Sequence, residues 1–95
     1  MVVRMAVIAV LFKIDEKNVV PALQAAGAKL DGAESEVLLD FSSVQRIDPS
    51  VLGAMEEFAG IADGKGVKVV LRGVNVGVYK VFKLVKLAQR FSFVN

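Results

Sequence analysis

Strand-like and helix-like segments alternate along this chain, and the connections between them are short. "VVRMAVIAVLFKI" (2–14) is rich in β-branched and large apolar residues and reads as one long strand or two short ones. "EVLLDF" (36–41), "VKVVLRG" (67–73) and the closing "FSFVN" (91–95) read as further strands. In "KNVVPALQAAGAKLDG", Asn18 is placed to cap a helix, Pro21 falls in its first turn, and Gly32 ends the segment. Val20, Leu23, Gly27 and Leu30 give that helix one inward face. A second helix starts at Asp48-Pro49 and stops at "GKG" (64–66). A third, in "VNVGVYKVFKLVKLAQR" (74–90), carries Val78, Val81, Leu84, Val85 and Ala88 at helical spacing. Connections this short favour parallel pairing through right-handed crossovers. The expectation is one α/β domain over residues 1–95, a mixed, mostly parallel sheet of four to five strands with about three helices. Such sheets bind beyond the carboxyl ends of their strands, where Asp40 and the start of the second helix would lie.

Composition removes several function classes. Hydrophobic residues make up 55% of the 95 residues, as expected when elements are buried on several sides. The longest apolar run, "MAVIAVLF" (5–12), is less than half of a bilayer span. As a signal peptide it lacks a small-residue cleavage site and runs directly into Lys13, Asp15, Glu16 and Lys17, so a buried strand is the better reading. Cysteine and histidine are absent, which excludes disulfides, thiol nucleophiles, the usual zinc sites and imidazole acid–base catalysis. A reducing cytoplasm fits that usage. The net charge of +2 does not imply nucleic-acid binding.

"RIDPSVLGAMEEF" (46–58) holds the residues most in need of explanation. Pro49 pushes Asp48 out of the α region, the backbone that an N-cap residue needs, and suits the first helical position itself. The Asp48 carboxylate can then accept from the N–H of Ser50 or Val51, while Ile47 and Leu52 occupy the positions of a hydrophobic staple. Local chemistry accounts for these four residues and not for Ser50. At 100° per residue, Val51, Met55, Phe58, Ala59 and Ala62 share one side of the helix. Ser50, Gly53, Glu57 and Gly60 share the other. Each interior glycine costs about 1 kcal/mol relative to alanine. Close approach of a partner surface would offset that cost, and so would tight packing within the chain. A hydroxyl in the first turn also suits a phosphate, since the free N–H groups and the helix dipole favour negative charge there. Phosphorylation would bring nearly two charges to a surface already bearing Asp48 and Glu57.

These residues resemble a known family. "EVLLDFSSVQRIDPSVLGAMEEF" followed by "GVKVVLRGVNVGVYKVFKLVKL" is similar to the STAS domain of bacterial anti-sigma factor antagonists and sulfate-transporter tails. Asp40-Phe41-Ser42 fits the family's first turn, and Asp48-Pro49-Ser50-Val51-Leu52-Gly53 fits its helix start. Pro49 stands where the family has a first serine, and Val51 where it has a glycine. The resemblance implies that Ser50 is the acceptor of a phosphate from an ATP-dependent anti-sigma factor kinase. It also implies that the unphosphorylated form binds that kinase. A second branch is similar in "LRGVNVGVYKVFKLVKL", namely the small STAS subunit of phospholipid-transport ABC systems, which docks on the transporter ATPase.

Other candidates have simpler explanations. Lys80, Lys83, Lys86 and Arg90 fall within about a 120° arc of the last helix, as a solvated face or as a secondary docking patch for an acidic partner or anionic lipid. Asp40 and Asp48 could pair at the sheet edge, but strand-end and cap roles explain both, so no metal and no cofactor are expected. "GKGVK" has too few glycines for a phosphate loop, and no nucleophile has a base to activate it. The expected function is therefore a cytoplasmic protein-binding module rather than an enzyme. Partner-binding residues are Asp48, Ser50, Gly53, Glu57 and Gly60, with Ser50 the phosphorylation site. The partner is an anti-sigma factor kinase, or alternatively a transporter ATPase, with neither nucleic acid nor membrane insertion. Exposed sheet edges would permit a weak homodimer.

Overall fold

The computed structural model describes residues 9–30 and 36–94, so residues 2–8 of the first expected strand, Gly32 and Asn95 lie outside the described residues. Strands β1 (Ala9–Lys13), β2 (Glu36–Asp40), β3 (Lys68–Arg72) and β4 (Ser92–Val94) alternate with helices α1 (Val19–Lys29), α2 (Pro49–Lys65) and α3 (Val76–Leu84). Single 3₁₀ turns precede α1 (Glu16–Asn18) and β4 (Ala88–Arg90). The four strands lie in sequence order, and every described pair is parallel.

Sequential parallel strands joined by right-handed crossovers keep all their helices on one face of the sheet. The burial pattern agrees. Val37, Leu39, Val69 and Leu71 alternate inward and form one core with Leu23 and Ala26 of α1, Met55 and Phe58 of α2, and Phe82 of α3. On the other face, Leu11 is 54% exposed, while Val70 of β3 is buried but lies outside that core. Fully burying side chains such as Phe58 and Phe82 contributes roughly 2–3 kcal/mol each. The α1–α2 contact is set by Gly27, where an added Cβ would lie 3.2 Å from Ile61 Cδ1.

The helix ends explain two departures from the expected boundaries. α2 runs through Gly64 and stops at Gly66, whose φ of 70° is left-handed; the N–H of Val67 donates to the Ala62 carbonyl and that of Gly66 to Asp63. The same pair of bonds closes α3, from Leu87 N–H to the Phe82 carbonyl and from Lys86 N–H to Lys83, with Lys86 left-handed at φ 63°. The buried pair Phe82 and Leu87 supplies the apolar contact that goes with such an end. The third helix is thus nine residues long rather than continuing toward Arg90. Its inward residues are Val78 and Phe82, and the expected inward positions Leu84 and Val85 are 81% and 46% exposed.

Candidate protein-docking site

The start of α2 lies beyond the carboxyl end of β2. Asp48 has extended backbone, φ −104° and ψ 173°, and caps the helix. Its Oδ1 accepts from the Ser50 N–H at 3.1 Å, the Val51 N–H at 3.3 Å and the Ser50 hydroxyl at 2.6 Å. The Ser50 hydroxyl bond, then the Val51 N–H, hold the Asp48 carboxyl below its ordinary value. Ile47 and Leu52 both pack on the core, as a staple requires. Val51 is buried and Pro49 exposed, so the valine side chain turns into the core and away from the Ser50 hydroxyl.

Ser50, Gly53, Glu57 and Gly60 are all exposed, on the side of α2 opposite the buried Val51, Met55, Phe58, Ala59 and Ala62. A Cβ added at Gly53 or Gly60 would meet nothing within 4 Å. Packing within the described chain therefore does not account for these glycines. Gly64 extends the stripe, since it is helical, exposed and equally unobstructed. Sequence reasoning assigned it to the helix stop because "GKG" reads as a terminator, but only Gly66 has the left-handed backbone. From Ser50 to Gly64 the stripe spans about 21 Å at 1.5 Å per residue.

The loop leading into α2 is held from both sides, by residues that sequence reasoning did not single out. Glu16 Oε2 accepts from the N–H groups of Gln45 and Arg46, both at 3.2 Å. Asn75 Nδ2 donates to the Gln45 carbonyl at 3.0 Å, while its Oδ1 accepts from the Val78 N–H at 2.8 Å and caps α3. An asparagine before an apolar helix is a cap signal, yet its reach to a loop 30 residues away is tertiary. Beneath the same loop, Gly73 (φ 73°) runs so close to Ser42 that an added Cβ would lie 2.9 Å from its Cβ and 3.0 Å from its Cα.

Asp40 is half-exposed at the end of β2, in register with Lys13 and Arg72, and accepts from the Ser42 N–H at 3.0 Å. The bonds from Ser42, with Arg72 and Lys13 nearby, hold its carboxyl below the ordinary value. Asp40 and Asp48 each serve their own turn, and no group of three or more His, Cys, Asp or Glu side chains is arranged for a metal among the described residues. The four expected cations of the last helix separate: Lys80 and Lys83 lie on α3, Lys86 in its terminal turn, and Arg90 in the 3₁₀ turn, paired with Asp63 at 2.8 Å. The left-handed Lys86 breaks the helical phase that would have aligned Arg90 with the others.

Residues 13–94 match the family described as "Mlab, STAS domain". No curated protein sequence matches the chain. Among solved structures, the fold is similar to that of a Thermotoga maritima protein provisionally assigned as an anti-sigma factor antagonist. The TM-score is 0.73 and the identity 18%, over 92% of this chain and 79% of that one.

Proposed function

The chain belongs to the STAS domain family, and from that premise we propose a regulatory protein-binding module that docks through α2 and is controlled at Ser50. The observation that carries this reading is an exposed serine hydroxyl, 2.6 Å from Asp48 Oδ1, at the head of a stripe almost bare of side chains. The partner is a serine kinase of the ATP-dependent anti-sigma factor type. In the proposed step, Ser50 Oγ attacks the γ-phosphorus of ATP, the bond to the β–γ bridging oxygen breaks, and ADP leaves. The hydroxyl proton passes to a base of the kinase. Asp48, its carboxyl held low by Ser50 and Val51, is a weak base and serves to aim the hydroxyl.

Modification would then oppose docking. The N–H groups of Ser50 and Val51 already serve Asp48, so a phosphate competes with the cap for its donors and stands beside Asp48 with Glu57 about two turns beyond. A partner lying on the bare stripe would have to desolvate that cluster of negative charge, which is costly. The reading requires a compartment with ATP, hence the cytoplasm, and assigns the chemistry to the kinase. Intact-mass measurement after incubation with ATP and the cognate kinase tests it: one phosphate on the wild type and none on Ser50→Ala is expected. No phosphate on the wild type, or equal labelling of both, sinks the switch.

A second reading is favoured by the C-terminal stretch 71–87, similar to that of the STAS subunit of phospholipid-transport ABC systems, and by the description of the matching family. In it the same face docks constitutively on a transporter ATPase. Co-purification with such an ATPase, undiminished by Ser50→Ala or Ser50→Asp, would support it.

A further inference from the structure

We infer that the outward side of α3 and the turn after it form a second contact surface, which seats on an anionic lipid interface. This surface does not depend on the Ser50 reading. Charge is divided along the chain: residues 64–95 hold seven of the twelve basic side chains and none of the ten acidic ones. Several of these cations have local partners. Lys65 Nζ donates to the Leu30 carbonyl, Arg90 pairs with Asp63, and Arg72 is in register with Asp40. Lys80, Lys83 and Lys86 have no carboxylate partner among the described residues.

The same helix exposes apolar side chains between those lysines. Val76 is 69% exposed and Leu84 81%, with Tyr79 and Val85 also partly open. Positions 76, 80, 83 and 84 share one side of a helix, so cationic and apolar groups alternate along one outward arc. Lys80, Lys83 and Leu84 line an open depression of about 320 Å³. Leu84 faces outward by helix phase, about 200° from the inward Phe82, and the left-handed turn at Lys86 ends the helix before Val85 is covered.

The shape favours a lipid interface over a folded acidic partner. Leu84 projects from the end of a helix rather than lying in a groove, so a protein would need a matching apolar pocket flanked by carboxylates. A fluid interface accepts a projecting leucine without one, and lysine stems reach up to lipid phosphates while the leucine enters. Seating here requires no spanning segment, and no described helix is long and apolar enough to cross a membrane. Each lysine contributes about fivefold in partition and Leu84 at least tenfold, which puts half-binding on the order of 0.1–1 mM accessible anionic lipid.

Vesicle co-sedimentation of the full chain tests this, with phosphatidylcholine alone and mixed with phosphatidylglycerol, at low and high salt. Binding is expected only with phosphatidylglycerol, falling with salt. Lys80→Gln with Lys83→Gln should weaken it about 25-fold and Leu84→Ser at least tenfold. The charge-matched pair Lys17→Gln and Lys29→Gln, on exposed positions of the first helical region, should weaken it much less. All substituted side chains are exposed, and an unchanged melting temperature confirms that each variant folds. Equal losses from both lysine pairs, no effect of Leu84→Ser, or no sedimentation at about 1 mM anionic lipid would each overturn the proposal. So would tight binding of soluble poly-glutamate at Lys80 and Lys83 without any binding to vesicles, which would make an acidic protein the occupant.

Discussion

Replacing Gly53 and Gly60 by alanine should make the protein more stable and a poorer binder. Both are helical, exposed and within the body of α2, and a Cβ at either meets nothing within 4 Å. No steric cost therefore opposes the gain in helix propensity, which is about 0.8–1.0 kcal/mol per site. Seven residues separate the sites, about 10 Å along the helix, so the gains should add to roughly 1.6–2 kcal/mol. In a domain of this size that raises Tm by roughly 6–15 °C. Urea unfolding followed by circular dichroism provides the check, with the midpoint rising and the slope unchanged. The same variants should bind the α2 partner at least tenfold more weakly, because a surface in contact with the bare backbone must retreat from two methyl groups. Gain of stability with loss of binding separates this explanation from a folding defect. A double variant no more stable than wild type would refute the claim that the stripe is unobstructed. Undiminished binding would remove the stripe from the interface.

Other substitutions probe the supports of that face. Gly73→Ala should destabilise by roughly 2–4 kcal/mol, since alanine is strained at positive φ and its Cβ collides with Ser42 backbone; a loss in urea unfolding below about 0.5 kcal/mol would contradict the geometry. Asp48 has a folded-state pKa below its ordinary 3.8, so its stabilising effect is complete above that value and is lost as pH falls through the folded value. Ser50→Ala removes the largest cause of the depression; the carboxyl titration midpoint, read by NMR, should move up toward 3.8, and an unmoved midpoint would refute the role of the hydroxyl. Lys86→Gly should raise stability by up to about 1 kcal/mol in thermal unfolding, because glycine adopts φ 63° without strain.

Much of the site was legible because its signals are local. Asp48, Pro49, Ile47 and Leu52 form a helix start whose parts lie within a few residues of each other, and the exposed side of α2 follows from the phase of a single regular helix. The end of α3 was less legible. Lysine carries no sign that it will adopt a left-handed backbone, and the apolar spacing continued past Lys86 as though the helix did too. What ended it was the burial of Phe82 and Leu87 in one core, a contact that only the folded chain makes. Leu84, which helix phase places on the side away from Phe82, is the most exposed of the large apolar residues of α3 instead of an inward one.

By itself, the order of residues determined the alternation of strands and helices, the parallel sense of the sheet and the cap at Asp48. Each of these depends on periodicity or on neighbours along the chain. Tertiary structure alone decided that Glu16 and Asn75 would hold the loop before Ser50 from both sides. It also decided that Gly73 must lie against Ser42, and that Gly53, Gly60 and Gly64 would face open space. These are contacts, or absences of contact, between segments far apart in the chain. Local propensity carries no term for them, because they arise only when the crossovers bring the carboxyl ends of the strands to one edge.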